Sequence, residues 1–531
     1  MNFFSNNSNY DVIIIGGGIS GLFTGYKLLN TGLKILIIES SSRLGGRIHT
    51  LYKKKLQYES GAARFHSTHT KLLTLINELD LMEDIIDLDD NIKYILRNRS
   101  EKYNYETDNH LDLYELLDLS IQNKNKLSKD KLINISFYQY LILLFDYETA
   151  QYIKDSFGYD SEIINLNAYS AIEMFKNDLL REGQYYTLRG GLSQIINILE
   201  EKINIHPNIT IKKQCSLKEI NKGSIITDNN DKYDFEKLIL TIPSEKLKEI
   251  NYFKDNQLFN SVKPIKLLRI YAQYPIKNLW FKDIQRTITD NYIRHIIPID
   301  YNTGLIMISY TDDKYSELLH SYSLINEGFL IKALHKEINH LFGISPPKPK
   351  MISIHYWENG MHLWKKGYDM DSMYDSIIQP DMDEQIFIVG ESFSKKQGWI
   401  EGALETCYNM IERLSFNGFN IIKEVGKSPK KNIYKDYPYF TLQHVIDKGT
   451  WIILDHDGTK SIYDISKWIN KHPGGDIIYE GINANHYYDL KKRKTFSKSP
   501  YSIFKSLHSN NILEEYILSD NIIKKVGYLK I

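Results

Sequence analysis

The stretch DVIIIGGGISG at residues 11–21 decides the fold of this chain. Its four consecutive β-branched apolar residues predict a buried β-strand, and the glycines that follow predict a tight turn. An apolar pattern of helical period then runs from Ile19 to about Thr31 and stops at Gly32, and residues 33–38 predict a second strand. Two strands joined by so short a helical crossover make a βαβ unit, so we expect an α/β fold with a parallel sheet.

The glycines at the end of the first strand have the spacing of a dinucleotide site. Gly16, Gly18 and Gly21 form the pattern G-x-G-x-x-G. The first glycine permits the turn, the second lets the backbone approach a pyrophosphate at the helix N-terminus, and the third lets helix and strand pack closely. Glu39 ends the second strand, 18 residues after Gly21. A carboxylate there accepts both hydroxyls of a ribose and repels a 2′-phosphate.

Composition and charge exclude several classes of protein. The chain has 531 residues with 66 Lys plus Arg and 66 Asp plus Glu, so a nucleic-acid binder is not expected. Two cysteines, Cys215 and Cys407, cannot build a disulfide scaffold and favour a reducing compartment. Residues 1–10 lack the apolar core of a signal peptide, and the most apolar run, 141–145, is too short to span a bilayer. We therefore predict a soluble, cytoplasmic protein.

Strand and helix patterns divide the chain into several regions. Strand patterns return at residues 208–220, 224–241 and 385–389, which predicts a discontinuous dinucleotide-binding domain. We assign to it residues 1–75, 186–250 and 385–416. Residues 76–185 and 251–384 mix helix and strand patterns and predict an inserted α+β substrate domain. The polar, Lys-rich residues 417–436 predict a linker, and residues 437–531 predict a separate module.

The residues after the second strand, ESSSRLGGR at 39–47, contain Arg43, Gly45, Gly46 and Arg47. Together with the glycine pattern they resemble the extended fingerprint of the flavin amine oxidase superfamily, which includes monoamine, polyamine and L-amino-acid oxidases. The resemblance implies a Rossmann-like domain that binds FAD rather than NAD. It also implies that the two arginines border the ADP and flavin portions of the cofactor.

The resemblance extends to a second FAD motif, read in IVGE at 388–391 and GWIEGA at 398–403. It implies that Gly390 and Glu391 approach the ribityl-pyrophosphate. Ile400 and Glu401, at a helix N-terminus, are expected to lie against the isoalloxazine, where the helix dipole favours a reduced anionic flavin.

Residues 208–220 resemble the family strand whose backbone contacts the adenine, which places Cys215 near that ring. Covalent members of the superfamily carry a cysteine beside the flavin ring. Neither Cys215 nor Cys407 occupies that position, so FAD is expected to be noncovalent.

Most members of the superfamily also carry a lysine that holds a water molecule against the flavin. The matching strand reads KLLRIY at 266–271, which puts Arg269 in that position, with Lys266 three residues earlier as the alternative. An arginine stays protonated at any usable pH and is a poor base. The replacement of this lysine by Arg269 is expected to affect either the oxidation of the amine or the reaction of the reduced flavin with oxygen.

Arg64 and Trp399 are the candidates for the substrate face. Arg64 stands where several L-amino-acid oxidases have an arginine that fixes the substrate carboxylate, and a guanidinium offers the required fork. The alternative is that Arg64 pairs with a protein carboxylate or with the flavin. Trp399 matches one of two aromatic residues that flank the amine in the family. For the second, Trp364 and Tyr368 are candidates, with an ordinary core position as the alternative.

The C-terminal module contains KHPGGD at 471–476 and FKSLHS at 504–509. These sequences resemble the small α+β cytochrome b5-like domain, which implies haem b with His472 and His508 as axial ligands and His486 as the rival second ligand. Two imidazoles leave no open position on the iron, which suits electron transfer. A redox partner at this domain is a further expectation.

These resemblances predict an FAD-dependent oxidoreductase that oxidises an amine or L-amino acid by hydride transfer to flavin. Electrons are expected to pass to the haem domain, to oxygen or to another one-electron acceptor. One alternative is a desaturase or dehydrogenase of a lipophilic substrate, which a long apolar tunnel would indicate. The other is a non-enzymatic redox or packaging protein that kept the fold.

Overall fold

The computed structural model describes residues 8–88, 91–96, 111–178, 184–254, 256–381, 385–416, 439–440, 442–448, 450–456, 459–466 and 524–529. The chain divides into two compact units, Met1–Lys423 and Glu424–Ile531. The boundary between them falls inside the segment 417–436, whose composition predicts a linker.

The described strands are β1 (Ser8–Ile15), β2 (Ile35–Ile38), β3 (Thr50–Lys53), β4 (Leu56–Glu59), β5 (Phe65–His66), β6 (Ile85–Asp87), β7 (Lys93–Ile95), β8 (Tyr185–Leu188), β9 (Ile209–Lys212), β10 (Leu217–Asn221), β11 (Ser224–Thr227), β12 (Lys232–Leu240), β13 (Val262–Gln273), β14 (Thr287–Thr289), β15 (His295–Asp300), β16 (Leu305–Asp312), β17 (Met351–Trp364), β18 (Ile386–Ile388), β19 (Tyr439–Phe440), β20 (Trp451–His456), β21 (Thr459–Asp464) and β22 (Lys524–Leu529).

The described α-helices are α1 (Ile19–Lys27), α2 (Thr70–Glu78), α3 (Leu113–Gln122), α4 (Lys129–Asn134), α5 (Phe137–Leu144), α6 (Tyr147–Phe157), α7 (Asp160–Ile164), α8 (Ala168–Asp178), α9 (Ser193–Asn204), α10 (Ser244–Glu249), α11 (Asp313–Ile325), α12 (Glu327–Phe342), α13 (Met370–Ile378), α14 (Ile400–Phe416) and α15 (Leu442–Lys448).

The central sheet of the first unit has the strand order β10-β11-β12-β1-β2-β9, with β18 beside the carboxyl end of β12. Strands β9, β2, β1, β12 and β18 run parallel, as the βαβ unit predicts, and β10 and β11 add an antiparallel hairpin. Alternate side chains of β1 enter different hydrophobic cores. Val12 and Ile14 join one core, and Ile13 and Ile15 the other. Because both faces of the strand are buried, its sequence is a continuous apolar run.

Two of the fingerprint glycines are required by packing around the turn after β1. Gly16 has φ +110°, and a Cβ there would lie 2.4 Å from Oγ1 of Thr241. A Cβ on Gly21 would lie 1.9 Å from the carbonyl oxygen of Gly16. The helix therefore approaches the strand too closely for any other residue, as the pattern predicts.

The prediction of one strand over residues 208–220 is wrong. The segment forms β9 and β10, which lie at opposite edges of the described sheet. Gln214 between them has φ +53°, a left-handed conformation that ends β9. Cys215 follows, and its N–H donates to the carbonyl oxygen of Glu39 at 3.0 Å.

The insertions supply a second sheet with the described order β17-β13-β16-β15-β14-β7. Its long strands β13 and β17 pair antiparallel along most of their length. One face of β13 puts Leu268 and Ile270 into a core with α11 and α12. The opposite face, with Leu267 and Tyr271, lines a cavity. This alternation follows from the period of two along a strand.

In the second unit, the described strands form one sheet with the order β19-β22-β21-β20. Val445, Ile453 and Ile462 are buried within this unit. The predicted haem ligands His472 and His508, and the rival His486, lie outside the described residues. Across the parts of the chain that are described, no helix combines the length and apolarity needed to span a bilayer.

Candidate active site

A cavity of about 1500 Å³ lies in the first unit. One group of lining residues surrounds the carboxyl ends of β1 and β2: Gly16, Gly18, Glu39, Arg43, Gly45, Gly46 and Cys215. Another group comes from the insertions and the second motif: Arg64, Arg269, Gly390, Glu391, Trp399 and Ile400. The fold therefore joins the glycine fingerprint and the predicted substrate face in one space. Ligands bind at this edge of open α/β sheets.

Backbone N–H groups hold the carboxylate of Glu39 beside the glycine turn that follows β1. Its Oε2 accepts the N–H of Gly17 at 2.8 Å, and its Oε1 accepts the N–H of Ser41 at 2.7 Å. These bonds fix the carboxylate while leaving it on the cavity wall. Oε1 also accepts the hydroxyl of Ser40 at 3.3 Å, whereas Oε2 has a further lone pair available for a ribose hydroxyl.

Gly18 shows how well the cavity fits a pyrophosphate. Its φ is −75°, and a Cβ there would meet nothing within 4 Å, so neither the backbone nor a protein neighbour requires glycine. The open space lies at the N-terminus of α1, whose first turn contains no acidic residue. Helix N-termini bind anions through their free N–H groups. A bound phosphate explains the glycine, because a side chain would occupy its place.

Gly45 and Gly46 pack against the same turn. The Gly45 N–H donates to the Gly17 carbonyl oxygen at 2.8 Å, and a Cβ on Gly46 would lie 3.4 Å from Cα of Gly18. Both glycines have positive φ, at +99° and +54°. They bring the segment after Glu39 against the phosphate-binding turn.

Arg43 and Arg47 are engaged by protein groups as well as lining the cavity. Arg43 donates to the carbonyl oxygens of Leu44 and Gly46 at 3.1 and 2.7 Å, and burial lowers its pKa. Arg47 Nη1 lies 2.5 Å from Oε2 of Glu391 and 3.2 Å from the carbonyl oxygen of Gly360. Both guanidiniums therefore hold the walls of the cofactor end in position.

Glu391 is the centre of a buried polar cluster. Its Oε1 accepts hydrogen bonds from the backbone N–H groups of Gly398 and His362, both at 2.8 Å. Its Oε2 lies 3.0 Å from Nδ1 of His362. Burial opposes its ionisation, but Arg47 and then His362 hold the pKa of Glu391 well below its ordinary value. His362 also contacts Oε2 of Glu245 at 3.1 Å. The cluster orients the turn that leads to Trp399.

Residues at the N-terminus of α14 have two different roles: some line the cavity and one caps another helix. Trp399 and Ile400 line the cavity. Glu401 does not, which corrects its expected place against the flavin ring. Its carboxylate instead accepts the N–H groups of Lys71 and Leu72 at 3.1 and 2.9 Å and so caps α2.

The two candidates on β13 lie on opposite faces of the strand. Arg269 lines the cavity, stacks 4.4 Å from the ring of Tyr310, and donates to the carbonyl oxygen of Glu59 at 3.2 Å. Lys266 is absent from the cavity lining and pairs with Glu317. Residues three apart in a strand point to opposite sides, so Lys266 cannot replace Arg269 at the same site.

Arg64 lies beside two aromatic rings. Its Cζ is 4.4 Å from the ring centre of Tyr185 and 6.0 Å from that of Trp399. These two rings are nearly parallel, at 24°, with centres 6.2 Å apart. The ring of His69 also contacts Trp399 edge-on, with centres 4.9 Å apart. The ring stacked parallel to Trp399 is thus Tyr185, and neither Trp364 nor Tyr368 takes this place.

Trp364 belongs to the hydrophobic core. It is 1% exposed, and its Nε1 donates to the carbonyl oxygen of Ser394 at 3.0 Å. Neither Trp364 nor Tyr368 lines the cavity. Trp357 does line it, and its Nε1 donates to the carbonyl oxygen of Ser60 at 2.7 Å.

Comparison with known proteins agrees with this site. The family model for flavin containing amine oxidoreductases matches residues 19–409. The chain belongs to this family. It is 22% identical to an uncharacterized protein of Acanthamoeba polyphaga mimivirus, over 77% of this chain and 94% of that protein. It is 24% identical to achacin of Lissachatina fulica, over 76% of this chain and 92% of achacin.

Among solved structures, a putrescine oxidase bound to putrescine superimposes with a TM-score of 0.60 and 14% identity, covering 77% of this chain and all of that one. This likeness is one of fold. The family match and the fold identify the chain as a flavin-dependent oxidoreductase, so we set aside the non-enzymatic alternative. FAD is the cofactor of the family, and the open space at Gly18 and the carboxylate of Glu39 fit it.

Sequence reasoning missed several residues of this flavin oxidoreductase that line the same cavity: Tyr159, Tyr185, Arg286, His295 and Tyr310. They come from the insertions, where no motif marks them. Among the described residues no group of three or more His, Cys, Asp or Glu side chains is arranged to hold a metal ion.

Proposed function

We propose that this oxidoreductase oxidises the amine of a substrate that also carries a carboxylate, an α-amino acid, with FAD bound noncovalently. The environment of Arg64 carries the proposal. Its guanidinium lines the cavity beside two aromatic rings, and it has no carboxylate partner among the described residues. A planar guanidinium binds a carboxylate through two parallel hydrogen bonds.

The reaction removes a hydride, which carries two electrons, from the α-carbon and a proton from the amine nitrogen. The imine that remains is hydrolysed by water to a 2-oxo acid and ammonia. Bound FAD supplies the two-electron acceptor. The chain contributes binding and orientation: Arg64 holds the carboxylate, and the rings of Tyr185 and Trp399 flank the substrate.

Arg269 acts on the charge of the substrate amine. It is buried and permanently cationic, with Tyr310 stacked on it and the carbonyl oxygen of Glu59 as an acceptor. A nearby positive charge disfavours an ammonium group and favours the neutral amine, which is the form that can be oxidised. Arg269 therefore promotes deprotonation of the substrate without itself acting as a base.

The charge of the cavity argues against two other substrate classes. Arg64, Arg269 and Arg286 all line it, so a diamine such as putrescine, which carries two positive charges, would be repelled. A lipophilic substrate would have to cover these guanidiniums with apolar groups, which costs their hydration without replacing it. The desaturase alternative is therefore the weaker hypothesis.

The proposal is tested by comparing amino acids with their decarboxylated amines in wild type and Arg64→Ala. We expect the wild type to prefer the amino acids, and the variant to lose about 10- to 100-fold in kcat/KM for them, the value of a charge-assisted pair. The amines should change much less. An equal loss for both substrate types contradicts the carboxylate role.

We further propose that the second unit binds haem b through His472 and His508 and accepts electrons after substrate oxidation. The support is the sequence resemblance, together with the separate unit Glu424–Ile531 and its single described sheet. The absorption spectrum of the purified chain tests this. We expect a haem Soret band beside the flavin bands, lost in His472→Ala while the flavin bands remain. A spectrum with flavin bands alone contradicts the proposal.

A further inference from the structure

We propose that Arg64 and Arg286 together form a two-guanidinium site, and that the substrate therefore carries two carboxylates: an α-amino acid with an acidic side chain. The inference rests on the proposed function, because it assigns the α-carboxylate to Arg64. It adds a residue, Arg286, and a second acidic group that the proposed function does not require.

The backbone of Arg286 is fixed at the edge of the second sheet. The residue directly precedes β14, and its carbonyl oxygen accepts the N–H of Lys93, at the start of β7, at 2.8 Å. Its side chain lines the cavity. Its Nε is buried and has no hydrogen-bond partner, and no described carboxylate pairs with the guanidinium. Buried polar atoms in proteins are almost always hydrogen-bonded, so the unpaired Nε of Arg286 indicates a missing ligand.

Arg294 shows that the same region can satisfy a buried arginine. It is 1% exposed, forms an ion pair with Asp160 at 3.1 Å, and donates to the carbonyl oxygens of Lys154, Asp155, Gly158 and Thr289. Arg294 is thus a structural arginine with its partners built in. Arg286 lies eight residues earlier in the chain and has none of these acceptors.

The side chains with the strongest electrostatic effect on Arg286 are cationic or neutral: Arg64 and three tyrosines, Tyr159, Tyr185 and Tyr114. Burial, and then the like charge of Arg64, lower the pKa of the Arg286 guanidinium. Burial, followed by the charges of Arg286, Arg294 and Arg64, holds the pKa of His295 well below its ordinary value, so this imidazole is neutral. Burial raises the pKa of Tyr159 above its ordinary value, so this phenol is neutral as well. Two positive charges therefore face one cavity, and neither Arg64 nor Arg286 forms an ion pair with a carboxylate of the described residues.

A substrate with two negative charges would neutralise the two guanidiniums. Arg269 already has Tyr310 and the carbonyl oxygen of Glu59 as partners. The side chains of Arg64 and Arg286, by contrast, form no hydrogen bond with the described residues. One carboxylate on each would satisfy both and remove their mutual repulsion. A single carboxylate would bring one negative charge against the two positive charges of Arg64 and Arg286.

The test compares L-glutamate with L-glutamine, which has nearly the same shape but a neutral side chain. We expect the wild-type holoenzyme to favour L-glutamate by about tenfold or more in kcat/KM, and Arg286→Met to abolish that preference. Arg286→Lys, which keeps the charge but loses the fork, should retain part of it. Arg413→Met is the matched control, because Arg413 pairs with Asp375 on an exposed surface of α14, away from the cavity.

A binding measurement without turnover separates the two proposals. Isothermal titration of the holoenzyme should show succinate binding at least about tenfold more tightly than butyrate, with the difference lost in Arg286→Met. If L-glutamine is oxidised as well as L-glutamate and succinate has no advantage, the two-carboxylate inference is overturned while amino-acid oxidation stands. If no amino acid is oxidised, the proposed function fails, and the succinate titration alone decides whether the two-guanidinium site exists.

Discussion

Nη1 of Arg47 lies 2.5 Å from Oε2 of Glu391, and this ion pair joins two FAD motifs that are 344 residues apart in the chain. Arg47 belongs to the N-terminal fingerprint and Glu391 to the segment after β18. Glu391 is 4% exposed and also fixes His362 and the N–H of Gly398. One buried carboxylate thus couples the phosphate end of the cavity to the turn that presents Trp399.

Replacing this carboxylate should loosen both motifs together. We expect Glu391→Gln to lower the stability of the first unit by about 2 kcal/mol or more, because it leaves Arg47 and His362 with an uncharged partner in a buried site. FAD affinity should fall at the same time. The thermal midpoint and the flavin dissociation constant measure the two effects. A variant with unchanged melting and unchanged FAD affinity contradicts the coupling.

The same cluster predicts a dependence of stability on pH. Burial alone would lower the pKa of His362, but Glu391 and Glu245 raise it above its ordinary value. A raised pKa contributes stability that is fully present below the unfolded value of about 6.5 and is lost as pH rises through the folded value. We expect the thermal midpoint of the wild type to fall, relative to His362→Gln, as pH increases above about 6.5. Parallel pH profiles contradict this linkage.

Gly18 and Gly21 should respond differently to the same small substitution. Gly18→Ala meets no protein atom within 4 Å, so the flavin-free protein should melt as the wild type does while FAD affinity falls. Gly21→Ala puts a Cβ 1.9 Å from the carbonyl oxygen of Gly16 and should destabilise the fold itself. Thermal melting of the flavin-free proteins and FAD titration distinguish the two. Normal FAD affinity in Gly18→Ala contradicts the assignment of that space to the pyrophosphate.

FAD should be released when the protein is denatured. Cys407 is buried and outside the cavity lining, and burial raises its pKa to about 12, so it is an unreactive thiol. Cys215, which follows β9, also lines the cavity; its N–H donates to the carbonyl oxygen of Glu39, and burial raises the pKa of this thiol as well. Acid precipitation should leave the yellow flavin in the supernatant of both the wild type and Cys215→Ser. Flavin that stays with the precipitated wild-type protein contradicts noncovalent binding.

Several residues of the site could be predicted because their roles depend on neighbours in the chain. Gly16, Gly21 and Glu39 act within one βαβ unit, where strand, turn and helix are set by local pattern. The choice between Arg269 and Lys266 was also decidable, since the two-residue period of a strand places them on opposite faces. The prediction of one strand over 208–220 failed because the left-handed Gln214 interrupts a segment whose apolar pattern continues.

The sequence by itself determined the dinucleotide end of this protein, since the fingerprint residues lie close together in the chain and each has a stereochemical reason to be there. Only the tertiary structure decided the substrate end. Arg64, Tyr185 and Arg286 reach one cavity because β5 pairs with β8, and because β14, which lies between β15 and the outer strand β7, places Arg286 at the wall. It also distinguished Arg286 from the fully paired Arg294. Whether an arginine has a carboxylate partner depends on contacts between segments that are distant in the chain. No local sequence pattern encodes such contacts.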